Sequence, residues 1–176
     1  MSSYHLVPPD HDWPRLASEE ITSIARALNI ELNHLAHVGS TAVPGLGAKP
    51  IIDLMVGIPD FNSSKDNQQY LAPLELIGYE FDGTETVPGT YYIRKALPQR
   101  FNLHMTKYGN AFWIDHLLFR NYLRSHPESV QQYEDLKQGL IEKLGPDPDK
   151  QAYNKGKDCF ISAILDMARR GKTTID

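Results

Sequence analysis

Cysteine is almost missing from this chain: Cys159 is the only one in 176 residues, so no internal disulfide can form. It lies in an apolar, helix-like stretch, KDCFISAIL, and reads as a small core side chain rather than a nucleophile. No apolar run approaches the roughly 20 residues that span a bilayer. The opening MSSYHLVPPD lacks the basic segment and apolar run of a signal peptide. The expectation is a cytoplasmic protein with no membrane partner. Basic excess is also missing: the formal net charge is −4, which argues against general nucleic-acid binding but leaves room for a local basic site. There is no internal repeat, no low-complexity tract and no evident boundary, so one domain over residues 1–176 is expected. With 41% apolar and 23% charged residues, the composition suits a globular core.

What is present is an alternation of helical and strand patterns. A helix is expected from near Ser18, with Ile21, Ile24, Ala25 and Leu28 at helical spacing. His34–Val38 reads as a strand entering a turn, and Pro50–Val56 as a central strand, apolar on both faces except for Asp53. Asp66–Ile77 reads as a helix that Pro73 kinks and Gly78 stops. Thr90–Ala96 and Arg100–Thr106 are the best later strands, and Gly109-Asn110 marks a turn. Helices follow from Asp115 to Ser125, along the stripe Val130, Tyr133, Leu136, Leu140, Ile141 and Leu144, and, past Gly145-Pro146-Asp147-Pro148, along Tyr153, Phe160, Ile161, Ile164, Leu165 and Ala168. This order predicts an α/β (α+β) fold, a mixed sheet with helical cover. Trp13 and Trp113 are expected to pack.

Most of the functional signal lies in HVGSTAVPGLGAKPIIDLMV, residues 37–56. Gly39 permits a sharp turn, and Ser40 and Thr41 offer hydroxyls beside backbone N–H groups, an arrangement that suits phosphate. Lys49 supplies positive charge. Asp53, alone in an apolar strand, must meet solvent, a cation or a metal, because an unpaired buried carboxylate costs several kcal/mol. A Gly-Ser turn followed by an acidic strand resembles the nucleotidyltransferase superfamily. The longer string GST-x-VPGL-x-AKPIIDL resembles the GrpB family more specifically. The likeness continues through NLHM (102–105), LLFRNYLRSHP (117–127), YEDLK (133–137) and the helix of Tyr153 and Lys157.

That resemblance implies a nucleotidyltransferase-like fold, and the family also occurs as a domain attached to dephospho-CoA kinase. No GxxxxGK[ST] sequence is present, so kinase activity is not assigned. The superfamily's second carboxylate position is Met55, a poor ligand for Mg²⁺, and its third corresponds to Asn102 or His104. The expected site therefore has Gly39, Ser40 and Thr41 cradling phosphates, Asp53 holding Mg²⁺ or Mn²⁺, and His104 as acid/base or metal ligand.

Several residues keep two readings. Asn102 and His104 line the pocket or a solvated sheet face. Arg94 clamps a phosphate or sits on the surface. Arg120 reaches the ligand or makes a buried ion pair. Tyr153 and Lys157 reach the ligand, or Lys157 snorkels to water. His37 fixes the turn or packs. The function expected is binding of a nucleotide or other phosphorylated small molecule, with metal-assisted nucleotidyl or phosphoryl transfer. The alternative is a non-catalytic nucleotide-binding or protein-interaction module that has lost the metal centre.

Overall fold

The computed structural model describes residues 5–65, 67–84, 88–145 and 148–175. Helix α1 (Trp13–Leu28) leads through a single turn at Leu32–His34 into strand β1 (Leu35–Val38). Strand β2 (Ile52–Ile58) and helix α2 (Gln68–Leu76) follow, then β3 (Glu80–Thr84), β4 (Tyr91–Lys95) and β5 (Phe101–Lys107). Four helices complete the chain: α3 (Ala111–Ser125), α4 (Pro127–Leu144), α5 (Lys150–Lys155) and α6 (Asp158–Arg170). The sheet order is β1-β2-β5-β4-β3. The β2–β5 pair is parallel and the other pairs are antiparallel, so the sheet is mixed, as expected.

Period-two alternation sorts the strand residues onto two faces. Leu54, Val56 and Ile58 of β2, Phe101, Leu103 and Met105 of β5 and Ile93 of β4 bury themselves under α1 and α2, with Trp13, Ile24 and Leu74. The opposite face carries Ala36, Val38 and Met55, which pack on Trp113 and Leu117 of α3. Helices α4 and α6 extend this second layer, joining Leu118, Leu123, Tyr133 and Ile164 to Val43 and Leu46 of the β1–β2 connection. Both tryptophans are buried.

Four expectations need correction. Helix α1 starts at Trp13, five residues before Ser18, because Pro14 in its first turn lacks an N–H that would be unsatisfied there anyway. Helix α3 starts at Ala111, capped by Asn110, whose side-chain oxygen accepts from the Trp113 N–H at 2.9 Å. The last helical stretch is two helices, divided at Gly156. Cys159 is exposed; it lies five residues before buried Ile164, about 140° around the helix from the buried side. Asp66 and the Pro146-Asp147 break lie outside the described residues.

Candidate functional site

The connection after β1 turns back over the start of β2, and its geometry begins with Gly39. Its φ is +71°, and a Cβ there would stand 2.5 Å from Oδ2 of Asp53. Only a glycine lets the backbone lie flush against that carboxylate. Val38 and Asp53 are direct register partners, so the bend and the acid belong to adjacent strands. Asp53 is half-buried near the start of β2, not at its centre.

The bend is anchored from behind by α3. An Arg120 Nη1–H donates to the carbonyl of His37 at 3.0 Å, and the Arg124 Nε–H donates to the carbonyl of Ala42 at 2.8 Å. These two arginines sit one helical turn apart and hold both ends of the His37–Ala42 segment. Burial, reinforced by Arg124, draws the buried Arg120 down to about 10. His37 Nε2 pairs with the Thr41 hydroxyl at 2.9 Å. Thr41 is itself buried, so its hydroxyl serves the shape of the bend, while Ser40 is half-buried. Burial, followed by the charges of Arg124 and Arg120, draws His37 down to about 4 and keeps it neutral.

Beside Asp53 on β5 stands Asn102, whose amide donates to Asp53 Oδ1 at 2.7 Å. Burial raises the Asp53 carboxyl above the usual range, against the opposing pull of the Asn102 hydrogen bond and the charges of Lys49, Lys157 and His116. His104 follows Asn102 on the same face, opposite Met55 in one register and Tyr92 in the other. Its ring lies 5.3 Å from that of Tyr92 and 6.0 Å from that of His116. The Nδ1–H of His116 donates to the Phe112 carbonyl at 2.8 Å. Arg94 stands opposite Asn102 but is exposed, ion-paired with Asp82 and resting 4.9 Å over the Tyr92 ring.

The remaining wall comes from α4 and α5. Tyr153 is buried, with Lys157 Nζ 4.7 Å and Lys49 Nζ 5.8 Å from its ring centroid. Gly156 makes this approach possible, since a Cβ there would meet Leu140 of α4 at 2.4 Å. The buried Lys137 of α4 donates to the carbonyl of Gly47 and lies 5.2 Å from the centroid of the Tyr133 ring. Glu134 accepts from the Gly47 N–H at 2.8 Å. Burial draws Lys137 down to about 8; Glu134 opposes this and the charge of Lys157 adds to it. Tyr133 is pushed above the usual range by burial, then by Tyr153 and Asp53.

Asn102 and the Gly39 backbone thus meet at Asp53, Lys49 and Lys157 share the Tyr153 ring and act on Asp53, and His104 lies two residues beyond Asn102 on the same sheet face. Arg94 lies on the outer part of the same sheet face, and Arg120 sits behind the bend. Tyr133, Glu134, Lys137, His116 and Arg124 were missed as single residues. Lys137 had a legible signal: Tyr133, Lys137, Leu140 and Leu144 follow core spacing, and a lysine there must find a partner.

The donor set does not fit a two-metal centre. Asp53 has Met55 at the next position on its face, and the polar group meeting it from β5 is an N–H donor. Among the described residues, no group of three or more His, Cys, Asp or Glu is placed to hold a metal ion. A separate surface cavity of about 500 Å³ lies between the C-terminal end of α3 and the residues after α6, lined by residues including Arg124, His126 and Thr174. Among the described residues, no helix is long and apolar enough to cross a membrane.

Comparison with known proteins matches residues 3–167 to the model of the GrpB protein family. The UPF0157 protein PA4798 of Pseudomonas aeruginosa is 34% identical over 168 residues, 93% of this chain and 66% of that protein. A dephospho-CoA kinase of Mycolicibacterium paratuberculosis is 32% identical over 170 residues, 82% of this chain but 41% of the kinase. The chain therefore spans just under two thirds of the first relative and well under half of the second. The crystal structure of the conserved protein GrpB from Enterococcus faecalis superimposes with a TM-score of 0.78 at 32% identity, over 96% of this chain and 99% of that one. The Cid1 poly(U) polymerase, in a MgGTP-bound crystal structure, reaches a TM-score of 0.51 at 15% identity, over 85% of this chain and 50% of that chain. The fold is nucleotidyltransferase-like.

Proposed function

We propose, from the premise that this chain belongs to the GrpB family, that it binds a nucleotide or related phosphorylated small molecule between the Gly39–Ser40 bend, Asp53 and the lysines of Tyr153. One observation carries this reading: a backbone bend lies flush on a single carboxylate while Lys49 and Lys157 stand on the same buried ring beside it. Peptide groups of the bend and the Ser40 hydroxyl offer hydrogen bonds to phosphate oxygens. Lys49 and Lys157 supply charge, and Asn102 and His104 extend the polar wall toward the rest of the ligand. Arg120 acts behind the site, by holding the bend in place. Arg94 is poised to meet an exposed part of the ligand if it leaves Asp82.

Metal-assisted transfer is the second reading, supported by the nucleotidyltransferase-like fold and by His104 sharing a face with Asp53. In it, an acceptor hydroxyl oxygen bonds to the α-phosphorus, pyrophosphate leaves with the bonding electron pair, and His104 takes the hydroxyl proton. This reading needs Mg²⁺ or Mn²⁺ for charge stabilisation, and Asp53 would hold it beside Met55 and the Asn102 N–H, a donor set that does not fit a two-metal centre.

Equilibrium titration with ATP, GTP, CTP and UTP tests the first reading. Saturable binding, weakened about tenfold in Lys157→Met, is expected. Absence of saturable binding by all four nucleotides and by inorganic pyrophosphate would sink it. Turnover of labelled nucleotide with Mg²⁺ or Mn²⁺, lost in Asp53→Asn, would favour the second reading.

A further inference from the structure

Sites that keep divalent cations gather carboxylates, because a hard cation wants several anionic oxygens around it. The surroundings of Asp53 have the opposite sign. Its same-face neighbour is the fully buried thioether of Met55. Its partner on β5 points an N–H at it, a donor that competes with any cation for Oδ1. The charges acting on it from further away are those of Lys49, Lys157 and His116. Lys137 adds a third ammonium group, close enough to Lys157 for the two to repel. Lys49, Lys157 and Lys137 thus gather on the side of Asp53, and the nearby Glu134 is engaged by the Gly47 peptide.

Lysines gathered around one acid make the charge pattern of an anion site with an internal counter-ion. Tyr153 holds two of these cations on its ring, and Gly156 lets α5 bring that ring close to α4. We infer that this site takes the phosphate of its ligand directly on Lys49 and Lys157, with no resident divalent cation, and that Asp53 is the internal counter-anion with which the phosphate competes. The ligand class is a phosphomonoester or a di- or triphosphate. This inference rests on the phosphorylated-ligand reading above and specifies how that ligand is held.

The two modes of binding predict opposite effects of one isosteric substitution. If a metal bridges Asp53 and phosphate, Asp53→Asn removes the bridge and weakens binding. If lysines hold the phosphate, Asp53→Asn removes a repelling charge, and affinity rises roughly three- to tenfold.

The experiment is a calorimetric titration of inorganic pyrophosphate and of ATP, first in excess chelator and then in excess Mg²⁺. It uses the full chain and the variants Asp53→Asn, Lys49→Met, Lys157→Met and Lys157→Arg, each checked for unchanged thermal unfolding. Expected are binding in chelator, tighter binding by Asp53→Asn, about tenfold weaker binding by either Met variant, and near-native binding by Lys157→Arg. Binding that appears only with Mg²⁺ and is lost in Asp53→Asn overturns the inference while the phosphorylated-ligand reading stands. Chelator-resistant binding that ignores both Met variants also overturns it, because the anion then binds elsewhere. Failure of pyrophosphate and ATP to bind under either condition removes the reading and the inference together.

Discussion

The two faces of the sheet use the same strands for different ends. On the face under α1 and α2, Leu54, Val56, Leu103, Met105 and Ile93 are almost wholly excluded from water. On the other face, the alternating positions of the same strands hold Asp53, Asn102, His104, Tyr92 and Arg94, all at least partly accessible. Helix α3 closes only part of this face, over Met55, Ala36 and Val38. Along β4 and β5, burial is thus concentrated on one side of the strand and polar side chains on the other. A substitution at residue i and one at residue i+1 should therefore fail in different ways.

The largest effect should come from Leu103→Ala. Removing a fully buried leucine side chain from the apolar face should cost about 2–5 kcal/mol in denaturant unfolding. Its neighbour Asn102→Ala should cost far less stability and act mainly on ligand affinity. An equal stability loss for both would break the comparison. Next is Gly39→Ala, where a side chain at φ +71° collides with the Asp53 carboxylate. A loss of roughly 1–3 kcal/mol is expected, partly recovered when Asp53 is also changed to Ala. A double-mutant cycle measures that coupling, and strict additivity would mean that the bend does not rest on Asp53. Arg124→Met should then cost about 1 kcal/mol, read as a lower urea midpoint, by releasing the carbonyl of Ala42.

The last prediction concerns pH. His37 is held down to about 4, against 6.5 for an exposed histidine. In the window between these values the unfolded chain binds a proton that the folded chain refuses. The contribution of His37 is therefore full above pH 6.5 and is lost as pH falls toward 4. Urea midpoints measured across this window should decline less steeply in His37→Gln than in the unaltered chain. An unchanged slope would mean that the ring titrates freely in the fold.

Much of this was legible from local patterns. The turn at Gly39, the acid at Asp53 and the alternation Asn102–His104 against Leu103–Met105 follow from residue type and period two, and the structure puts them on one face. Features set by tertiary approach were not legible. Thr41 looks like a phosphate ligand in sequence, and the reading in which His37 fixes the turn matches the bond that engages the Thr41 hydroxyl, but residue type alone does not choose between the two roles of Thr41. The core spacing of Lys137 signals that it must find a partner, but not that the partner is the peptide of Gly47, 90 residues distant. Gly156 gives no hint that its missing side chain seats α5 against Leu140. Cys159 misled because its apolar neighbours share its segment but not its side of the helix.

The most direct measurement of the central claim is a map of amide chemical-shift changes in labelled protein on titration with ATP. The account predicts that the largest changes fall on Gly39, Ser40, Asp53, Asn102 and Lys157 and saturate together. Changes centred instead on the separate cavity of Arg124, His126 and Thr174, or no changes at millimolar ATP, would contradict it.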